Sequence, residues 1–279
     1  MAETLISPGV LARENDNSFI ATRPYTKTAA IIGPTVKGPV EIPTIVTSYS
    51  DYLSRFGSTL LSASNIYSYF TSIAAFNFFS NGGEALLVSR VVSGSYSQAT
   101  STLIASPVYT SSFVLNTFSE GILMNSTSSE DASGSLASGS SNNIRWAIQN
   151  VSTASGTFDL LVRQGNDNTN NQIVLETWTG LSLDPTQPNF ISKVIGDISS
   201  SYDATNNQIV EAGNYKNNSR YIYVKAVNAL TPNYFNNTGT FKSEFTGSLP
   251  NAQSGSFRLA TGDVAAGANF YNAINGTNT

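Results

Sequence analysis

The chain has 279 residues, room for one large domain or two to three smaller ones. Hydrophobic residues make up 40% but charged ones only 11%, with a net charge of -4, against about a quarter charged in ordinary domains; no basic block gives nucleic acid an electrostatic footing. There is no cysteine and no histidine, which excludes disulfides, thiolate sites, imidazole bases and every triad built on them.

Residues 1–22 form a half-apolar arm, LISPGVLARENDNS, broken early by Pro8-Gly9 and too polar for a core element. The start MAETLISPG has neither a basic n-region nor an apolar h-region, so a secretory signal is not expected. No stretch approaches the roughly 20 apolar residues of a membrane helix. Residues 23–92 read as α/β. TAAIIG (Thr28–Gly33) is a short strand ended by Gly33-Pro34, and GPTVKGP is a loop carrying Pro34, Gly38 and Pro39 before a strand at Thr44–Thr47. SYSDYLSRFG predicts a helix capped by a serine near 48–50 and stopped after Phe56 by Gly57. In SASNIYSYFTSIAAFNFFSNGG, Ile66, Tyr69, Phe70, Ile73 and Phe76 or Asn77 fall at helical spacing, which predicts a helix buried on most sides. EALLVSRVV (Glu84–Val92), with Arg90, is a buried strand.

The texture changes at Ser93. SGSYSQATSTLIASPVYTSS predicts a linker or an edge, and Ser128–Asn143 a flexible loop. Period-two alternation then predicts strands: Ile144, Trp146 and Ile148 share a face, as do Phe158, Leu160 and Val162, and QIVLETW and YIYVKAV alternate too. Asp184-Pro185 reads as a turn leading to a helix from about Asn189 to Asp197. The fold class expected is α+β: an extended arm, a strand–helix–strand inner segment, and a β-rich outer part at 93–279 with one or two helices.

Motifs of chemistry are weak. GPTVKGP has Lys37 before the second glycine and Pro39 where a phosphate loop needs Lys, so it reads as a turn. Asp167, Thr169 and Asn171 alternate as in calcium loops, but the central Gly and closing Glu are missing, and a solvated hairpin loop is expected. Glu176 and Asp184 could be posed as a glycosidase pair, yet nothing in the sequence brings them together. Trp146 and Trp178 sit in strand patterns and read as core or interface. No catalytic residue, metal or cofactor is expected.

Three stretches taken together resemble the contractile tail sheath proteins of bacteriophages: the arm with the loop from Gly33-Pro34 through Gly38-Pro39 to Phe56-Gly57; FFSNGGEALLVSRVV with Arg90; and LLVRQGND…VLETWTGLSLDPTQPNFISKVIG, with Arg163, Glu176, Asp184 and Pro185. The resemblance covers about residues 4–198. It implies an arm, with Leu5, Ile6, Pro8, Gly9, Val10, Leu11, Ala12 and Arg13, that adds a strand to a sheet in a neighbouring subunit. About twenty extended residues reach at most ~70 Å. It further implies a helical homopolymer around an inner tail tube protein, bounded by baseplate and tail terminator proteins, assembled in the host cytoplasm and contracting without consuming a cofactor or nucleotide. The family places much of its inner domain near its C-terminus. Thr28–Val92 is therefore expected to be half a domain, and this chain either the N-terminal portion of a longer sheath subunit or a divergent short member. The reading from composition alone is different: a β-rich surface adhesin or carbohydrate-binding virion protein.

Overall fold

The computed structural model describes residues 27–62, 65–92, 96–101, 104–121, 130–137 and 139–258. The arm positions Leu5, Ile6, Pro8, Gly9, Val10, Leu11, Ala12 and Arg13 lie outside the described residues. The fold is α+β, and its described residues hold two hydrophobic clusters.

The first cluster belongs to a three-stranded mixed sheet. β1 (Thr28–Gly33) runs parallel to β5 (Ala85–Arg90), and β2 (Thr44–Val46) pairs antiparallel with the other side of β5. Between them lie α1 (Tyr49–Phe56), the hairpin β3 (Thr59–Ser62) and β4 (Asn65–Ser68), and α2 (Phe70–Ser80). α1 starts as expected: Ser48 is the N-cap and its Oγ accepts from Asp51 N at 3.1 Å. Gly57, at φ 70°, ends it. Val46, Leu86 and Val88 face Tyr52, Phe56 and Ala75 in the core. Among the described residues the other sheet face has no such cover: Ile32 is 75% exposed and Ile45 63%.

The long helix predicted from Ile66 onward is corrected. Asn65–Ser68 is a strand, Tyr69 is only the N-cap residue, and α2 begins at Phe70. Apolar residues at helical spacing also occur by chance where a hairpin meets a helix, and an Ile-Tyr pair suits a strand. Nor is α2 buried on most sides. Its inner face is small and polar, Thr71, Ser72 and Ala75, while Phe70, Ile73 and Phe76 are exposed.

The second cluster fills a curled seven-stranded antiparallel sheet in the order β10-β9-β8-β14-β6-β7-β13. Its strands are β6 (Gln98–Ser101), β7 (Phe113–Glu120), β8 (Ile144–Ser152), β9 (Thr157–Gln164), β10 (Val174–Ser182), β13 (Ile222–Val227) and β14 (Gln253–Arg258). β14 makes the corner: Gln253–Ser256 pair with β8, and Phe257 and Arg258 with β6. Ile144, Trp146, Ile148, Phe158, Leu160 and Val162 all enter this core, as their alternation predicts. α3 (Ile191–Ile195) closes over it, and a hairpin of β11 (Ser199–Asp203) and β12 (Gln208–Ala212) stands apart. α3 is shorter than predicted because Phe190 is still extended (φ -56°, ψ 131°) and Gly196 (φ 108°) stops the turn.

Three further expectations are overturned. The Ser/Thr-rich stretch after Ser93 is not an edge: β6 lies between β14 and β7. Its neighbours' hydroxyls and amides explain this, since Thr100 bonds Asn116 at 3.0 Å, Leu115 N donates to Ser101 Oγ at 3.0 Å, and Ala99 N donates to Thr117 Oγ1 at 3.1 Å. The described part of Ser128–Asn143 is tied down, by a bridge between Glu130 and Leu136 and by a buried Asn143. The loop at Arg163–Gln172 is not simply solvated, because Asp167 is 2% exposed.

Candidate functional site: the joint between the two cores

The GPTVKGP loop is pressed against the end of α1. Thr71 Oγ1 donates to Pro34 O at 2.6 Å, and Lys37 N donates to Phe56 O at 3.1 Å. A Cβ at Gly38, whose φ is +113°, would lie 2.6 Å from the Phe56 ring, and one at Gly57 would lie 3.0 Å from Val36. These two positions therefore need glycine. The loop's inner residues Thr35, Val36, Lys37 and Gly38 are buried.

The far side of the same loop meets the large sheet. Gly38 N donates to Ser119 Oγ and Val40 N to Glu120 Oε2, each at 2.8 Å. Arg90, at the end of β5, is 4% exposed, and its Nη1 donates to Gly38 O at 2.6 Å and to Glu120 O at 2.9 Å. Burial lowers Arg90 to about 10, against the pull of Glu120. Burial also raises the Glu120 carboxyl; the Val40 amide and Arg90 oppose that rise. Lys37, 6% exposed, is held over the Tyr221 ring at 5.9 Å, and burial lowers its pKa to about 8.

A second contact flanks the first. Asp51 Oδ1 takes Arg55 Nε at 3.0 Å from its own helix and Arg220 Nε at 3.5 Å from the segment before β13. Beside them opens a cleft of about 210 Å³ between the two cores, lined by Ser54, Arg55, Ser119, Ser219, Arg220 and Tyr221 among others.

Of the motif positions, Gly33, Pro34, Gly38, Pro39, Phe56, Gly57 and Arg90 thus gather at one place. Arg163, Glu176, Asp184 and Pro185 do not join them. Arg163 belongs to a buried ionic cluster: its Nε meets Asp167 Oδ2 at 2.7 Å, Arg145 Nη1 meets Asp167 Oδ1 at 3.2 Å, and Arg145 Nη2 also pairs with Glu130. Glu176 accepts from Ser219 Oγ at 2.6 Å and Arg220 N at 2.8 Å, which ties β10 to the approach to β13. Asp184 organises the turn at Pro185, accepting from Thr186 N at 3.0 Å and Tyr234 N at 3.2 Å. Burial works to raise Asp184, but the hydrogen bonds from Thr186, Tyr234 and Asn233 outweigh it and hold the carboxyl below its ordinary range. Glu176 and Asp184 therefore serve separate sets of backbone and hydroxyl donors. Trp146 is 1% exposed, and Trp178 packs against the same core with its Nε1 donating to Glu176 at 3.3 Å.

Sequence reasoning read Lys37 and Asp167 only as parts of a turn and a solvated loop, and missed Asp51, Glu120, Arg145 and Arg220. Only Arg145 carried a signal, a charge set between Ile144 and Trp146 in an otherwise apolar strand. Among the described residues no cluster of three or more acidic side chains could hold a metal ion, and no helix is long and apolar enough to cross a membrane.

No protein-family model matches the sequence, and neither does any curated protein. Solved structures similar to it include a sheath tail protein of Listeria innocua, at 14% identity and a TM-score of 0.38, covering 85% of this chain and 34% of that one. A sheath tail protein of Desulfitobacterium hafniense is similar at 12% identity and a TM-score of 0.29, covering 77% of this chain and 38% of that one. The chain thus spans little more than a third of the length of the solved structures it matches.

Proposed function

We propose that this chain is part of a structural, non-enzymatic subunit of a contractile phage tail sheath. Residues 1–22 are the inter-subunit arm, 23–92 one half of an inner domain, and 93–279 an outer, protruding part. The observation that carries this reading is the incomplete inner unit. Among the described residues, its three-stranded sheet is covered by helices on one face only, and across the other face runs a row of Ala30, Leu87 and Ile45 in direct register. A sheet of three short strands with one bare apolar face is a poor free-standing domain. It suits a subunit finished by more chain or by a neighbour. The motif glycines and Arg90 fit the same reading, since they fix how the inner unit meets the outer one. Contraction would then move subunits as rigid bodies while arms keep them linked, and heterologous contacts would propagate the array around the inner tube. Its place would be the virion, between baseplate and tail terminator. The composition-based alternative, a carbohydrate-binding surface protein, gains nothing from Trp146, which is buried in the core, and little from Trp178, which packs half-buried against it.

Deleting residues 1–20 from the gene product tests the proposal. The expected outcome is a subunit with unchanged circular dichroism and melting that no longer forms tubes in electron micrographs. Normal tubes from the deletion variant would refute the arm mechanism.

A further inference from the structure

The motif residues leave one feature of the joint unexplained, the pair Arg55 and Arg220. Both guanidiniums reach the same oxygen, Asp51 Oδ1, and both do so through Nε. Among the described residues neither makes a hydrogen bond through its terminal nitrogens. Two guanidinium forks are thus left open, and an arginine fork matches an oxyanion bidentately. The charges do not balance either. Arg55, Arg220 and the nearby Lys37 surround Tyr221, against Asp51 and Glu176. Both oxygens of Glu176 are already taken, by Ser219 Oγ and Arg220 N. Both arginines line the 210 Å³ cleft, whose wall adds the Ser119 hydroxyl. Its oxygen accepts from Gly38 N, which leaves its own proton to donate, whereas Ser54 already donates to Asp51 O. That volume accepts a group of a few heavy atoms.

We propose that this cleft is a binding site for a carboxylate or a similarly small oxyanion, held between Arg55 of the inner unit and Arg220 of the outer one. The site does not depend on the sheath reading. The anion can come from solution or from an Asp or Glu side chain of a second copy, and only the second source rests on that reading. Because its two arginines come from the two units, an occupied site clamps them together. A ligand that binds only the closed, folded form raises its stability by mass action.

The test is thermal unfolding of the 279-residue chain in rising acetate, and separately in inorganic phosphate, with chloride holding ionic strength constant. A saturating rise in Tm is expected, roughly 5–10 °C at about 100 times Kd. Arg220→Gln should abolish the rise. The Arg220 side chain is 54% exposed, so the variant should fold. Arg55→Gln gives the same reading independently. A rise that is absent or non-saturating in the wild type, or undiminished in the two variants, overturns the site and marks only general salt exclusion. Sedimentation of the same proteins separates the sources. Self-association that phosphate competes and Arg220→Gln weakens assigns the carboxylate to a second copy. A monomer with a saturable Tm rise assigns it to a free anion and leaves the sheath proposal to its own test.

Discussion

Asp167 takes a charge-assisted contact on each carboxylate oxygen, from Arg145 at 3.2 Å and from Arg163 at 2.7 Å, and its Oδ2 also accepts from Ile173 N at 3.0 Å. All three side chains are essentially dry, with exposures of 0 to 2%. The arrangement ties β8, β9 and the start of β10 to the loop around Glu130. Arg163 Nη2 donates to Asn168 O at 3.1 Å, so the loop's backbone is held by the same cluster. A buried charge costs several kcal/mol to desolvate and is tolerated only when paired. Asp167→Ala would leave Arg163 without an ionic partner and Arg145 with Glu130 alone, and is expected to cost about 3–5 kcal/mol. Asp167→Asn keeps the hydrogen-bond acceptor and should cost less. Urea unfolding midpoints measure both. A cost below about 1 kcal/mol for the alanine variant would show that water reaches these arginines.

At the scale of elements, the loop 34–40 is the part whose behaviour with pH can be foreseen. Lys37 titrates near 8 when folded and near its ordinary 10.5 when unfolded. Between those values the unfolded chain binds the extra proton, so stability rises with pH, by up to ~1.4 kcal/mol per pH unit for one proton. Above pH 10 the buried tyrosines Tyr221 and Tyr223, whose pKa values burial raises, reverse the trend. The window is therefore pH 8 to 10. Wild type should gain stability across it, while Lys37→Met should be more stable at pH 7 and flat through the window. A parallel pH profile for the two proteins would mean that Lys37 is hydrated.

The same loop shows what was legible in the sequence. Its turn residues, the cap at Ser48 and the stop at Gly57 are local features, and local chemistry writes them into a few adjacent letters. Strand alternation in β8 and β9 is equally local. The joint is not local: Val40 meets Glu120 across 80 positions and Gly38 meets Ser119 across 81. No periodicity reports such a pairing. Resemblance pointed to Gly38 and Arg90 but not to the partners that give them a role. α2 misled for a different reason. Its apolar residues suggested a buried helix, whereas Thr71 and Ser72 form its inner face through bonds to Pro34 O and Tyr49.

Among the described residues, one face of the small sheet is an apolar surface that its own core does not use. Ile32, Ile45, Leu87 and Val91 are 75, 63, 38 and 47% exposed. Burying a residue such as Ile is worth about 1.5–3 kcal/mol, so a residue already exposed contributes little to the stability of the free chain. β1 and β2 are also the two edges of their sheet, each paired only with β5 among the described residues. The double variant Ile32→Thr, Ile45→Thr removes branched apolar bulk while keeping β propensity. It should change the urea midpoint of the isolated chain by no more than about 0.5 kcal/mol per site. On the proposed sheath reading, the same two changes in the assembling subunit should block tube formation, as an interface core is disrupted by polar groups left without partners. Each half of the result bears on a separate point. A large loss of stability in the isolated chain would mean that this face is covered within the chain itself. Unimpaired tubes would mean that assembly leaves the face open to water.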